Sequence, residues 1–207
     1  MLGPHYALLR PEFFTKHMEA PAEGPIFVSL GGADPQNTSL SVLEAVRQVD
    51  NTLPVRIVLG PFHPNPQAVE NFSSQLSNLT ILQNLSASQM VTELTQCSLA
   101  ITACSTIAYE VCAISRPLIT VVSADNQARL AQFLADEKLA LSVNFPNLLS
   151  RLTPSMSLET ALKLAIQLFQ FSPEAVTNTL HNQRHFFDGR SPERFRTLFD
   201  RLCSTTV

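Results

Sequence analysis

LAITACSTIAYE, residues 99–110, is the stretch of this chain that decides its fold. Residues 99–101 are apolar and predict a buried strand, and Ser105 and Thr106 begin a helical pattern that carries Glu110 one turn later. The first N–H groups of a helix lack intrahelical partners and lie at the positive end of its dipole, so they attract phosphate. We therefore predict that this helix start binds a nucleotide diphosphate, with the Ser105 and Thr106 hydroxyls donating to phosphate oxygens.

Glu110 lies four residues after Thr106 and therefore on the same face of the predicted helix. From there its carboxylate is placed to accept hydrogen bonds from the hydroxyls of a ribose. Plainer interpretations remain, because Ser105 and Thr106 are typical helix caps and Glu110 is also compatible with a solvated helix face. The rest of the helix is apolar, and a charge in such surroundings needs a partner, which favours the binding interpretation.

The same alternation of strands and helices extends along the chain on both sides. Strands are predicted at residues 25–30, 55–59, 79–82, 118–122 and 139–143, and helices at residues 40–49, 67–76, 88–96, 127–137, 158–169, 173–187 and 192–202. Apolar strands separated by helices predict a Rossmann-like, doubly wound parallel α/β sheet of about six strands. Residues 1–24 contain three prolines and no sustained period, so they predict an extended linker segment ahead of one domain at residues 25–207.

Ligands of such sheets bind outside the carboxyl ends of the strands, and polar or glycine-bearing loops follow several predicted strands here. These loops contain Gly31-Gly32, Asn84-Leu85, Ser105-Thr106 and Asn126-Gln127. Glycines let a backbone approach phosphate closely, although a glycine pair after a strand is more often simply a tight turn. Asn126 and Gln127 are suited to sugar hydroxyls or, alternatively, to the start of the next helix. Neither G-x-G-x-x-G nor a P-loop occurs, so dinucleotide binding and ATP hydrolysis are disfavoured.

The composition of the chain argues against several classes of binding partner and several cellular locations. The chain has a formal charge of −3 and no run of basic residues, which argues against binding to nucleic acid or an anionic membrane. It has no apolar stretch of the roughly 20 residues that span a bilayer, and its start does not resemble a signal peptide, so we expect a cytoplasmic protein. Its cysteines lack metal-ligand spacing, so we expect reduced, mostly buried thiols and no metal or cofactor.

A self-sufficient catalytic set is not apparent in the sequence. The chain has five histidines, and none has the context of a catalytic triad or a metal cluster. His63 follows a predicted strand and is the one histidine expected near the loops above, although a surface position is the more typical role for it. The sequence therefore predicts binding more strongly than catalysis.

Blocks of the sequence carry a family resemblance: residues 2–13 (LGPHYALLRPEF), 29–35 (SLGGADP) and 105–110 (STIAYE), together with Asn126-Gln127. In order and spacing they resemble the C-terminal half of the UDP-sugar hydrolases of pseudaminic acid biosynthesis, a family also called spore coat polysaccharide biosynthesis protein G. The resemblance covers nearly the whole chain. It implies the C-terminal half of a glycosyltransferase-B-like fold, like the UDP-binding domain of the lipid II N-acetylglucosaminyltransferase.

The resemblance also implies roles for the loops at the strand ends. Gly31, Gly32, Ser105 and Thr106 would lie at the diphosphate of UDP or a UDP-sugar, and Glu110 at the ribose. The Asn84-Leu85 loop would lie beside the uracil, and Asn126 and Gln127 would face the sugar. The implied reaction is hydrolysis of a UDP-sugar without a metal, in nonulosonic acid or surface polysaccharide biosynthesis.

Two departures from the family pattern qualify this expectation. The family has glycine before its Ser-Thr, whereas this chain has Ala103-Cys104, and the N-terminal Gly-x-Gly-His-x-x-Arg motif with the catalytic histidine is absent; His5 does not match it. We therefore expect no catalytic residue in this chain and a need for a missing N-terminal domain or partner subunit. Two alternatives stay open, namely the donor-binding half of a UDP-dependent glycosyltransferase and a non-catalytic nucleotide-sugar-binding subunit.

Overall fold

The computed structural model describes residues 3–14, 19–21, 23–143 and 156–204. The strands are β1 (Ile26–Ser29), β2 (Val55–Val58), β3 (Leu79–Leu82), β4 (Leu99–Ala103), β5 (Leu118–Val121) and β6 (Leu141–Val143). The helices are α1 (Thr38–Val49), α2 (Pro66–Asn71), α3 (Ala87–Gln96), α4 (Thr106–Ile114), α5 (Ala128–Asp136), α6 (Leu158–Phe171), α7 (Pro173–Phe186) and α8 (Ser191–Ser204).

The six strands form one sheet in the order β3-β2-β1-β4-β5-β6, and every pair of neighbouring strands is parallel. This confirms the predicted Rossmann-like, doubly wound α/β sheet. The chain moves outward from β1 to β3 and then returns to β4, so the order reverses between β1 and β4. Ser29 at the end of β1 is in register with Val58 of β2 and Thr102 of β4, which brings the carboxyl ends of these strands to one edge.

Apolar layers cover both faces of the sheet. Phe27 belongs to one buried cluster, and its neighbours Ile26 and Val28 belong to another on the opposite face. The alternation follows from the two-residue period of a strand, and residues that are apolar on both faces specify a central strand of a parallel sheet. The central strands β1, β4 and β5 are buried at every position, which places their carboxyl ends on a rigid core.

Some predicted boundaries differ from the observed ones for local physical reasons. Residues 139–140 were predicted as strand, but the N–H groups of Leu139 and Ala140 both donate to the carbonyl oxygen of Leu134 and close a turn after α5. The linker segment forms two single 3₁₀ turns, Pro4–Tyr6 and Pro11–Phe13. A proline occupies the first position of each turn, because its fixed φ suits the start of a helical turn and its missing N–H costs nothing there.

The linker segment packs onto the domain rather than leading away from it. The Ser191 hydroxyl at the start of α8 donates to the carbonyl oxygen of Ala7 at 2.8 Å, and the rings of Tyr6 and Phe195 lie 5.6 Å apart. These contacts hold the segment against α8. Across the described ranges, no helix combines the length and apolar character needed to cross a bilayer.

Candidate functional site

The candidate site is the sheet edge where the strands end and the predicted loops begin. The loops after β1 and β4 flank the reversal of strand order, which is where α/β sheets bind ligands. The β1–α1 loop carries Gly31 and Gly32, and α4 starts at Thr106 directly after β4. The structure therefore places the residues predicted for the diphosphate on the two loops that border this point.

The β1–α1 loop presents open backbone. Gly31 and Gly32 are exposed, and Gly31 has a φ of 89°, which favours glycine. A Cβ added at either glycine meets no atom within 4 Å. The space in front of this loop is therefore free for a ligand.

The same loop is fixed from behind by the loop that follows β2. A Cβ at Gly60 would lie 2.3 Å from the carbonyl oxygen of Gly32 and 2.5 Å from that of Gly31. The N–H of Phe62 donates to the Gly32 carbonyl oxygen at 3.0 Å. Only a glycine at position 60 permits this approach, so the β1–α1 loop is preorganised by its neighbour.

Asp34 lies in the β1–α1 loop, four residues before Thr38, and its side chain caps the start of helix α1. Its two carboxylate oxygens accept the backbone N–H groups of Thr38 at 2.9 Å and Ser39 at 2.8 Å, and the Ser39 hydroxyl at 2.6 Å. These bonds satisfy N–H groups that a helix start leaves unpaired, and the negative charge is favourable at this end of the dipole. Asp34 therefore sets the angle at which α1 leaves the loop.

His63 lies beneath this loop and not on the surface. Its side chain is 3% exposed, and its Nε2 lies 3.5 Å from Asp34 Oδ2. The Nδ1 atom accepts the N–H of Asn65 at 3.2 Å, so the second nitrogen faces the carboxylate. The expectation of a surface histidine was wrong, because the loop after β2 turns inward against Asp34.

The hydroxyl groups at the start of α4, on Ser105 and Thr106, do not cap the helix. Ser105 is the N-cap residue, but its side chain makes no capping hydrogen bond to the helix, and Thr106 is exposed. A role as a helix cap therefore does not explain the Ser105 side chain. The first N–H groups of α4 and the hydroxyls of these two residues therefore lie together at the start of the helix, at the carboxyl end of β4.

Glu110 is buried one turn into α4, so the alternative of a solvated helix residue is wrong. Its Oε1 accepts from Arg10 Nε at 2.9 Å and its Oε2 accepts from Arg10 Nη2 at 3.1 Å. Sequence reasoning assigned no role to Arg10. The signal was present, since a carboxylate in an apolar helix requires a cation and Arg10 belongs to the block at residues 2–13.

The other predicted residues lie at the same edge in short loops. Asn84 is exposed after β3 with a φ of 53°, which asparagine tolerates, and Leu85 packs partly against the core. Asn126 is exposed in the 3₁₀ turn Asp125–Gln127, and Gln127 Oε1 accepts the N–H of Ser123 at 2.9 Å. Neither side chain caps α5. The Asn126 amide is exposed at this edge, whereas the Gln127 side chain stabilises its own loop through the bond to Ser123.

The cysteines do not supply a nucleophile at this edge. Burial raises the pKa of the Cys104 thiol, directly before Ser105, to about 11, and burial raises the pKa of Cys97 to about 12. Both stay protonated at neutral pH and behave as small apolar side chains, as predicted. Cys203 is exposed, and His17, one of the histidines considered for catalysis, lies outside the described residues.

No family model and no curated protein matches this chain. Solved structures do match its fold. MnaA from S. aureus, solved with UDP, superimposes with a TM-score of 0.65 at 13% identity over 88% of this chain and 47% of that chain. A putative UDP-N-acetylglucosamine 2-epimerase from Listeria monocytogenes gives 0.63 at 14% identity, over 94% of this chain and 51% of that one.

The likeness extends to glycosyltransferases. CalG4, the calicheamicin glycosyltransferase, superimposes with a TM-score of 0.63 at 16% identity over 90% of this chain and 44% of that chain. The chain has the Rossmann-like fold found in enzymes of the glycosyltransferase-B type and spans about half the length of the structures it matches.

Proposed function

We propose that this chain is a nucleotide-sugar-binding domain and that its carboxyl edge holds the UDP part of a UDP-sugar. The observation that carries the proposal is the uncapped start of α4 beside the open Gly31-Gly32 loop, one on each side of the reversal in strand order. Backbone N–H groups, hydroxyls and a positive helix end are the donors that a diphosphate requires. The match of the fold to MnaA solved with UDP supports this choice of ligand.

The proposed roles follow the order of groups in the nucleotide. The diphosphate binds Gly31, Gly32, Ser105 and Thr106, and the ribose binds Glu110, about 6 Å further along α4. The Asn84-Leu85 loop binds the uracil. Asn126 binds the sugar together with the amide nitrogen of Gln127, whose Oε1 accepts the N–H of Ser123. Donors fixed on the ends of buried strands need no rearrangement to stabilise the charge of a departing UDP.

The finer proposal is that this domain is the C-terminal half of a UDP-sugar hydrolase of the pseudaminic acid type. In this arrangement the chain holds UDP as the leaving group, and a missing N-terminal domain or partner supplies the histidine that activates water. The burial of His63 beneath the β1–α1 loop supports this division, because a side chain that is only 3% exposed is closed to a water or substrate at the open edge. Two alternatives are distinguished from this hydrolase by their turnover. The donor-binding domain of a glycosyltransferase would turn over only with an acceptor present, and a non-catalytic nucleotide-sugar-binding subunit would take part in no turnover.

Replacing Gly32 by alanine tests the diphosphate site. The added methyl meets no protein atom within 4 Å, so we expect an unchanged or slightly higher melting temperature. The methyl stands where the phosphates approach the backbone, so we expect UDP affinity to fall by about tenfold or more. Calorimetric titration of UDP in magnesium-free buffer, with a thermal melt of each variant, measures both quantities.

A matched control adds a methyl group elsewhere. Ser77→Thr places it on an exposed turn before β3, at the opposite edge of the sheet, and should bind UDP like the wild-type chain. A folded Gly32→Ala variant that binds UDP as tightly as the wild-type chain would contradict the diphosphate assignment. A wild-type chain that binds no UDP at millimolar concentration would contradict the proposed function.

A further inference from the structure

The proposed roles place Glu110 at the ribose but assign no role to Arg10, which forms an ion pair with Glu110. We infer that this pair reads the vicinal diol of the ribose, and that Arg10 makes the site selective for ribonucleotides over 2′-deoxyribonucleotides. The inference rests on the proposed function, because it concerns the same nucleotide site. It assigns to Arg10 a contact with the ligand in addition to the orientation of Glu110.

The geometry of the pair is bidentate. Arg10 Nε donates to Glu110 Oε1 at 2.9 Å, and Arg10 Nη2 donates to Oε2 at 3.1 Å, so the guanidinium and the carboxylate meet edge to edge as a fork. The Glu110 side chain is 8% exposed, whereas the Arg10 side chain is 44% exposed. The part of the pair that a ligand meets is therefore mainly the guanidinium.

Arg10 is held in place although it is partly exposed. Its Cζ lies 4.9 Å from the centroid of the Phe13 ring, and Phe13 is buried in the core. Stacking on an aromatic face and the fork to Glu110 fix both the position and the plane of the guanidinium. The bond from Ser191 to Ala7 anchors the segment that carries Arg10. A ligand therefore meets a preorganised group and does not have to order a flexible one.

Hydrogen-bonding capacity remains on both members of the pair. A guanidinium has five N–H donors and an ionised carboxylate has about four lone-pair sites, and the fork uses two of each. One hydroxyl can donate to a remaining lone pair of Glu110 while its neighbour accepts an N–H from Arg10. Two adjacent hydroxyls satisfy this pattern, whereas a 2′-deoxyribose leaves one partner unpaired.

A contribution to the stability of the fold does not by itself explain why an ion pair occupies this position. A buried ion pair is often no more stabilising than apolar side chains of similar volume, because desolvation offsets the attraction of the charges. The surroundings of Glu110 on α4 include the buried residues Val111 and Ile114, which an apolar side chain would suit. A pair whose exposed member keeps unused donors is better explained by recognition of a ligand.

The test compares UDP with 2′-deoxy-UDP on the full chain. Calorimetric titration gives the ratio of the two affinities for the wild-type chain and for Arg10→Met, Arg10→Lys and a control. The control is Arg47→Met, because Arg47 makes the same two-point fork, to Glu44 at 2.8 and 2.6 Å, at the far end of α1. Thermal melts establish that each variant is folded.

We expect the wild-type chain and Arg47→Met to prefer UDP by about tenfold or more, the usual effect of losing a hydrogen bond to a charged group. Arg10→Met should lose most of this preference while it keeps its affinity for 2′-deoxy-UDP, and Arg10→Lys should lie between them. Equal losses for both nucleotides in Arg10→Met would overturn the inference and leave Arg10 a structural role. A wild-type chain that binds UDP without preference would also overturn it, whereas binding of neither nucleotide would overturn the proposed function.

Discussion

Replacing Arg116 by methionine is expected to lower the free energy of unfolding by about 4 kcal/mol. The Arg116 side chain is fully buried between α4 and β5. Its guanidinium donates to the carbonyl oxygens of Leu94 at 2.9 Å and Thr95 at 2.8 Å in the last turn of α3. It also donates to the carbonyl oxygens of Ile114 and Ser115 at the end of α4.

Two helix ends thus converge on one cation. The last carbonyl groups of a helix lack intrahelical partners and carry the negative end of its dipole, so a buried positive charge between two such ends satisfies both. Desolvation lowers the pKa of Arg116 from its ordinary value, but an arginine stays charged at neutral pH. Methionine fills a similar volume without donors, so the change leaves buried carbonyl groups unpaired.

Equilibrium unfolding in urea measures this effect. Arg116→Lys should recover part of the loss, because it keeps the charge but has fewer donors in a different geometry. Arg47→Met, which removes a partly exposed arginine from α1, should change the free energy of unfolding by less than about 1 kcal/mol. A stability of Arg116→Met within about 1 kcal/mol of the wild-type chain would contradict this account of the two helix ends.

Replacing Gly60 by alanine is expected to cost about 3 kcal/mol of stability and to abolish measurable UDP binding. The new methyl carbon would lie 2.3 Å from the carbonyl oxygen of Gly32 and 2.5 Å from the carbonyl carbon of the same residue. Both are backbone atoms and cannot rotate away, so the β1–α1 loop must move. The hydrogen bond from Phe62 to Gly32 is then lost together with the position of the loop.

The comparison with Gly32→Ala separates stability from binding. Gly32→Ala is expected to lose UDP affinity and keep its stability, because its methyl group enters open space. Gly60→Ala is expected to lose both, because its methyl group collides with backbone atoms of Gly31 and Gly32. Urea unfolding and UDP titration of the two variants in parallel measure the difference. A Gly60→Ala chain with wild-type stability and affinity would show that the β2–α2 loop does not position the β1–α1 loop.

The fold could be predicted because its determinants are local and periodic. Residues 79–82 were assigned to a strand with the observed bounds, since they form a short apolar run between turns. Once the strands alternate with helices, the parallel sheet and the shared edge of the loops follow from general rules of connection. The error at residues 139–140 is also local, because an apolar pair does not reveal that its N–H groups close a turn.

The contacts behind the candidate site could not be predicted in the same way. Arg10 and Glu110 are separated by 100 positions, and their pairing depends on how the linker segment returns to α4. The burial of His63 depends on Asp34 from a different loop, and the tight fit of Gly60 depends on the carbonyl groups of Gly31-Gly32. Sequence patterns predict which edge of a sheet binds, but contacts between distant segments decide how the loops are held.

Titration of the ¹⁵N-labelled chain with UDP, with the amide chemical shifts as the readout, tests whether the carboxyl edge of the sheet binds the nucleotide. We expect the largest shifts at the backbone amides of Gly31, Gly32, Ser105 and Thr106, because these groups are proposed to face the diphosphate. Absence of shifts at millimolar UDP, or shifts confined to the opposite edge of the sheet around Gly24 and Ser98, would contradict the claim that the carboxyl edge binds the nucleotide.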